Sequence, residues 1–382
     1  MSHRDRLHGI VPPRLLRRLL AHDDAEIREA ALSTLLATAR LRGQRELPSQ
    51  RFAPATARGL HRAIHTAAEG STRLRKLVRC EGDAAAADTA VNDVYDAFGA
   101  TYDFFRTVFQ RDSIDGRGFR LDAVVHYGQR FNNAFWNGSH MVFGDGDGQA
   151  LLGFTKSVDV IAHELTHGVT EFTCNLEYRG QSGALNESMS DVFGSLVKQY
   201  ALNQRATDAD WLIGSGLLGP VVPGVALRSL KAPGTAYLGD DQPSTMLGFI
   251  ETPDTDEGDW GGVHRNSGIP NHAFYLLATR LGGYAWEEAG QIWYDTLLSL
   301  QPNADFRSCA SMTYYMAGRR FGANSRQQQE VGNAWAAVGL PVKPSTGLSV
   351  PSGAIGPALG QAHKLRVIGS PTGQQPIGRT GT

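Results

Sequence analysis

Cysteine is scarce in this chain. Cys80, Cys174 and Cys309 are the three in 382 residues, an odd number and widely spaced. That excludes a disulfide framework and a cysteine-based zinc site, and leaves the three as reduced or inert thiols. No run of about 18 apolar residues occurs, so no membrane-spanning helix is expected. Neither charge sign dominates, with 37 Lys and Arg against 38 Asp and Glu and a net charge of −1. Nothing therefore pulls the chain toward nucleic acid or an anionic membrane surface. The start, Met-Ser-His-Arg-Asp-Arg, has no apolar stretch behind it, so a cleavable secretory signal is lacking. Arg14-Leu-Leu-Arg-Arg-Leu-Leu has the basic character of a transit peptide, but Asp23, Asp24, Glu26 and Glu29 follow too soon. There is no internal repeat. What is present is an ordinary globular composition, 41% hydrophobic and 20% charged, ample for one large or two medium cores.

The most informative stretch is Asp159-Val-Ile-Ala-His163-Glu164-Leu-Thr-His167. Val158, Val160, Ile161, Leu165 and Val169 supply a helical apolar pattern uninterrupted by proline. On a helix, His163 and His167 are four residues apart and leave one face within roughly 40° of each other. Two imidazoles so placed can grip one zinc ion at about 2.0–2.1 Å each. Glu164, one step round, can reach a water on that ion without ligating it. Alone, this H-E-x-x-H spacing also fits an amphipathic helix that happens to carry two histidines.

A catalytic zinc needs a third protein ligand and one open position. Gly183-Ala-Leu-Asn-Glu187-Ser-Met-Ser-Asp191 reads as the start of a second helix, with residues 168–186 between it and His167. Nineteen residues suffice to end one helix, turn and bring another back antiparallel, which offers Glu187 as that ligand. Asp191 falls on the same face as Glu187, placed to accept the second ring N–H of a zinc histidine and fix its tautomer. A solvated acidic face would not explain the small, apolar Gly-Ala-Leu approach.

His163-Glu164-x-x-His167, nineteen residues, then Asn186-Glu187-x-x-x-Asp191 resembles the thermolysin family of zinc metalloendopeptidases. Two further blocks carry the likeness. One is Tyr127-Gly-Gln-Arg-Phe-Asn132-Asn133-Ala134-Phe135-Trp136-Asn137-Gly138 with Met141-Val-Phe-Gly-Asp145-Gly-Asp147-Gly, the other Asp259-Trp-Gly-Gly-Val-His264-Arg-Asn-Ser-Gly-Ile-Pro-Asn271. Together they span roughly residues 90–340. The resemblance implies an α+β, thermolysin-like two-lobe metalloprotease. Its N-terminal lobe would be β-rich and its C-terminal lobe mainly α-helical, with the zinc site in the cleft between them.

It also implies roles. One catalytic Zn2+ would be held by His163, His167 and Glu187, with Glu164 as general base and Tyr178 and His264 stabilising the oxyanion. Asp259, five residues before His264, can be looped onto its imidazole to keep it charged. The sheet edge at Asn133 and Ala134 would pair with an extended polypeptide substrate, and Asn133 would bond its backbone. Arg228 would bind the carbonyl just after the scissile bond; without the resemblance it reads as a surface arginine. Leu227, Val160 and Phe154 would line an apolar pocket, giving cleavage before Leu, Phe, Ile or Val. His126 and His140 read as structural.

Within residues 10–42, Pro12-Pro13 opens one helix with Leu15, Leu16, Leu19 and Leu20 on a face, and His22-Asp23-Asp24 caps a second. So short a pair must pack on something. Ile10-Val-Pro-Pro-Arg-Leu-Leu resembles the Pro-Pro-x-x-Leu element of the protealysin-like branch, in which a short propeptide blocks the cleft. Residues 1–55 are accordingly an expected inhibitory propeptide; the alternative is an ordinary helical hairpin, or a module for a separate partner. Residues 43–60, rich in arginine, suit an exposed linker open to cleavage. The lobes are expected at 56–158 and 159–342. The former carries a helix over 91–111 and strands at 121–127 and 140–143; the latter closes with helices at 271–281, 286–300, 307–321 and 325–338. A Pro/Gly-rich tail without a core, 343–382, follows.

Departures from the family pattern are specific. Thermolysin holds two calcium ions in an acidic cluster beside its zinc helices. Asp159 and Asp210 keep two of those positions here, but Lys198, Leu212 and Ser215 replace three acidic ones. A lysine repels calcium, so the paired Ca2+ site is expected to be absent and Lys198 to neutralise Asp159; Ca2+ elsewhere stays open. Lys156-Ser157 stands where thermolysin has glycines near its hinge. A silent zinc-binding protein would keep the ligands yet lack Glu164 or His264, and both are here. A monomer is expected, secreted by a route without a signal peptide, with cytoplasmic residence as the alternative.

Overall fold

Short apolar runs in the first half of the chain pair into one mixed sheet; the computed structural model describes residues 8–45, 58–67 and 76–342. Among these, β1 (His8–Gly9), β2 (Arg62–Thr66), β3 (Lys76–Cys80), β4 (Leu121–Val125), β5 (Ala134–Trp136) and β6 (Met141–Phe143) lie in the order β1-β5-β6-β4-β2-β3. The β2–β4 and β4–β6 pairs are parallel and the other three antiparallel. β4, β5 and β6 are buried throughout, which suits interior strands covered on both faces. The strand expected at 121–127 stops at Val125 because His126 turns into the left-handed region, at φ 59°. β1, β2 and β3 were not foreseen: they are short, and Arg62, His65, Lys76 and Arg79 break the apolar signal of the latter two.

The expected N-terminal hairpin is present. α1 (Pro13–Leu19) begins on Pro13, whose missing N–H would have had no partner in a first turn, and buries Leu15, Leu16 and Leu19. α2 (Ala25–Arg45) is capped at its start, where Asp24 Oδ1 accepts from the Glu26 amide at 2.8 Å. Near its other end Leu41 packs with Tyr127, Phe131, Phe135 and Val142 against the sheet. Each such buried side chain contributes about 2 kcal/mol gross, before the entropy of ordering it. The hairpin thus has no core apart from the surface it covers.

α3 (Thr89–Phe109) is capped by Asp88 and ends on Gln110 in the left-handed conformation. α4 (Val158–Glu171) and α5 (Gly180–Ala201) form the centre, and nearly every residue of both is buried. Gly194 makes their contact possible: a Cβ there would lie 2.5 Å from the Asp159 carbonyl oxygen. Any side chain at that position would push the helices apart. The segment 202–258 is mostly irregular, with a two-stranded ribbon of β7 (Leu212–Ile213) and β8 (Arg228–Ser229). α6 (Asp259–Asn266), α7 (Gly268–Leu281), α8 (Glu288–Leu297), α9 (Phe306–Phe321) and α10 (Arg326–Ala337) complete the helical part. Side-chain caps from Asp305 and Ser325 start the last two. The middle of the linker (46–57) and the tail (343–382) lie outside the described residues.

Candidate active site

α4 and α5 bring together the three residues that the spacing paired. The ligand atoms of His163, His167 and Glu187 all lie within 4.8 Å of one another, and all three residues are fully buried. His163 Nδ1 is 2.8 Å from Asp191 Oδ1, as expected from the helix face. His167 Nδ1 is 2.8 Å from Asn186 Oδ1, with Ser190 Oγ at 3.1 Å. Asp191 is held well below the usual carboxylate range: burial pushes it up, but Arg228 and then His163 outweigh that. Its carboxylate can only accept, so His163 carries its proton on Nδ1. Asn186 donates its amide to the Leu176 carbonyl at 3.2 Å, which turns its oxygen to His167 and gives that ring the same tautomer.

Both Nε2 atoms then present a lone pair, and they lie 3.0 Å apart. Glu187 adds its carboxylate at 3.6 Å from one and 3.5 Å from the other, and its Oε2 has no hydrogen-bond donor. Burial lowers His163 to about 4 and His167 to about 3, so neither ring supplies its own positive charge at neutral pH. Converging lone pairs on two neutral rings and a carboxylate describe a metal site. Two nitrogens on a tetrahedral zinc would stand about 3.3 Å apart, close to what the helices hold.

Around this set lie the other predicted residues. Glu164 Oε2 accepts from the Trp136 amide at 3.0 Å. Burial, and then the charge of Glu187, raise its carboxyl well above the ordinary value, partly offset by the amides of Trp136 and Ile10. Tyr178 donates to Glu187 Oε1, and its hydroxyl is 3.3 Å from His264 Nε2. His264 Nδ1 donates to Asp259 Oδ1 at 2.5 Å, and its amide donates to the same carboxylate at 2.9 Å. The turn between them is unusual. Asp259, Trp260, Gly261 and Gly262 all adopt positive φ, which the two glycines do without a Cβ clash and the other two under strain. Burial lowers His264, but Glu187 and Asp259 raise it to about 9, so it stays an imidazolium donor.

Arg228 corrects the bare sequence reading of a surface arginine. It is 1% exposed, clasps Asp191 through Nε and Nη2 at 2.8–3.1 Å, and donates from Nη1 to the Ile10 carbonyl at 2.8 Å. Val160, Leu227 and Phe154 are fully buried. Asn133 and Ala134 meet the N-terminal segment: Ala134 O accepts from Ile10 N at 3.1 Å, and Asn133 Oδ1 from Val11 N at 3.1 Å. Lys198 meets Asp159 at 2.8 Å and Asp210 at 2.9 Å, so the replaced acidic cluster carries its own cation. His126 bridges Asp88 and Asp145, and His140 sits among Asn137 and Ser139, both away from the metal set.

Reading the sequence missed three contributors. Asn186 orients the second zinc histidine, Asn271 donates to Asp191 Oδ2 at 2.8 Å, and the Trp136 backbone holds Glu164. Asn186 was findable, since a second ligating imidazole also needs an Nδ1 partner. A backbone donor carries no side-chain signal.

Residues 65–171 match the family described as thermolysin metallopeptidase, catalytic domain, and residues 174–340 its alpha-helical domain. An extracellular metalloprotease of Pectobacterium carotovorum subsp. carotovorum is 48% identical over 342 residues, 88% of this chain and 97% of that one. The chain belongs to the thermolysin family. Within it, Protease PrtS of Photorhabdus sp. (strain Az29) is 43% identical over 347 residues, 88% of this chain and 92% of the relative. The solved precursor of protealysin, a metalloproteinase from Serratia proteamaculans, superposes with a TM-score of 0.77 at 48% identity. It covers 87% of this chain and 99% of its own. The family uses zinc, and the His163, His167 and Glu187 cluster fits it.

Proposed function

We propose that this chain is the zymogen of a zinc endopeptidase that hydrolyses peptide bonds before large apolar residues, with residues 1–55 as its inhibitory propeptide. One observation carries the reading: the segment from His8 to Val11 lies along β5 as a polypeptide substrate would, with Asn133, Arg228 and His264 on its backbone. His163, His167 and Glu187 would hold the ion, oriented by Asp191 and Asn186. Zinc in such a site lends Lewis acidity to a carbonyl and to a water molecule. Glu164 then takes a proton from the water and delivers it to the leaving amine. Its burial, and then the charge of Glu187, raise its affinity for that proton.

His264, kept charged by Asp259, and Tyr178 donate to the oxygen on which negative charge develops. Arg228 anchors the following carbonyl, Asn133 and Ala134 hold the extended chain, and Leu227, Val160 and Phe154 make the pocket apolar. The lobes are assigned to 56–158 and 159–342 and the tail to 343–382. The protein is taken as a monomer acting outside the cell, like the relative whose name says extracellular. Lys198 in the acidic cluster supports loss of the paired calcium site.

The test is intact-mass spectrometry of the zinc-loaded protein incubated alone, beside Glu164→Ala, each then given a peptide with an internal Gly-Leu bond. Loss of the N-terminal segment and Gly-Leu cleavage in the wild type alone are expected. A wild type that binds zinc, yet stays inert after its linker is opened by trypsin, would refute the assignment.

A further inference from the structure

We propose that Gly9–Ile10 is a self-cleavage site: the first peptide bond that this enzyme cuts is in its own N-terminal segment. The inference rests on the endopeptidase reading and adds which bond is cut. Such a site must aim the carbonyl of the bond at the oxyanion donor and bring its nitrogen to the proton shuttle. It must also anchor the next carbonyl and bury the side chain after the cut. The Gly9 carbonyl oxygen is 2.9 Å from His264 Nε2. The Ile10 amide donates to Ala134 O at 3.1 Å and faces the Glu164 carboxylate. The Ile10 carbonyl takes Arg228 Nη1 at 2.8 Å, and the Ile10 side chain is fully buried.

Neighbouring registers fail. A shift of one residue forward would bring the Ile10–Val11 carbonyl to His264, but its next anchor, Pro12, offers no N–H to Asn133. A shift backward would put Gly9, with no side chain, in the apolar pocket. Glycine at position 9 also has a steric reason. A Cβ there would stand 2.8 Å from Asn133 Nδ2, displacing the group that holds Val11. Beyond the bond, α1 is pinned by Arg14 to Asp241, by Arg17 to Asp256 at 2.7 Å and by Arg18 to the Leu238 carbonyl at 2.7 Å. The bond is therefore held from both sides.

The reaction is a hydrolysis and needs only water. The bond between Gly9 C and Ile10 N breaks, and the water oxygen joins Gly9 C to give a carboxylate. Both water protons finish on the Ile10 nitrogen, which becomes an ammonium group. That ammonium would lie beside Glu164, still tethered by α1, so this cut alone leaves the cleft filled.

The experiment uses the full chain, purified without metal and then given zinc, quenched at intervals in denaturing acid. Mass and N-terminal sequencing should show loss of residues 1–9 and a new Ile10 terminus before any cut beyond residue 45. The rate should be independent of protein concentration. Ile10→Asp should slow this cut at least tenfold and Ile10→Leu should not. Hydrogen exchange on metal-free Glu164→Ala gives a readout apart from turnover: Ile10 and Val11 amides protected, and the protection lost in Gly9→Val. A zinc-loaded chain that keeps Gly9–Ile10 whole, cuts elsewhere first, or cuts it only between molecules overturns the inference. The endopeptidase reading survives that result if the trypsin-opened protein still cleaves the Gly-Leu peptide, and falls with it if not.

Discussion

The same two helices, α4 and α5, solve one electrostatic problem in two ways. At one end, His163, His167 and Glu187 converge their ligand atoms, and neither ring carries a positive charge at neutral pH. One turn toward the start of α4, Asp159 faces α5 as well, and there Lys198 reaches across to it and to Asp210. The second cluster is self-sufficient; the first is complete only with an imported ion. A binding site for a cation is therefore not a concentration of acceptors alone. It is a concentration of acceptors whose lone pairs converge on one point. Elsewhere, His126 between Asp88 and Asp145 is a third arrangement, in which the positive charge can be removed by a proton equilibrium.

The largest effect should come from taking the imported ion away. A chelator should abolish peptide cleavage, and added zinc should restore it. At zinc a thousandfold above its dissociation constant, the lost binding is worth about 4 kcal/mol of stability, readable as a fall in Tm on chelation. A Tm that ignores zinc would end the contrast between the clusters.

Removing the built-in cation comes next. Lys198→Met leaves Asp159 buried without its partner and should cost about 3–5 kcal/mol by urea unfolding. Lys198→Met combined with Asp159→Leu should cost clearly less, because no charge is then stranded. Equal losses in the two would show that Lys198 acts by packing and not by neutralising.

Changing how the metal ligands are aimed should be milder. Asp191→Asn and Asn186→Leu each leave the three ligands in place but disturb ring orientation, so zinc affinity should fall about 10–100-fold. Competition with a chromogenic chelator measures it.

The smallest effect concerns the removable cation. Asp145 and Asp88 raise His126 to about 9 against the opposing pull of partial burial, from an ordinary 6.5. Its folded value lies above its unfolded one, so its stabilisation is full below pH 6.5 and is lost as pH rises through 9. Wild type minus His126→Gln stability, followed by unfolding at several pH values, should shrink over that window. A flat difference would mean that the charge is not what joins Asp88 to Asp145.

Chemistry was more legible in the sequence than architecture. His163, Glu164, His167, Glu187 and Asp191 are fixed by helical spacing, and α4 and α5 deliver them because nothing in either helix interrupts the period. The C-terminal helices were visible for the same reason. β1, β2 and β3 were not, since pairing partners distant in the chain define them more than their own residues do. Arg228 was misread without its family context for a related cause. Its burial is set by Asp191, 37 residues earlier, and by Ile10, 218 residues earlier.

β1 has a consequence for the mature form. Its two residues occupy the outer rim of β5, where backbone groups would otherwise face open solvent. An enzyme that reads extended chains must keep such a rim unfinished, and an unfinished rim also welcomes the wrong visitor, including a half-folded copy of itself. While the N-terminal segment stays seated, that adhesive edge is covered through the period when newly made chains are most crowded and least folded. The segment thus does for this edge strand what a covering helix or loop does for the exposed edges of other sheets.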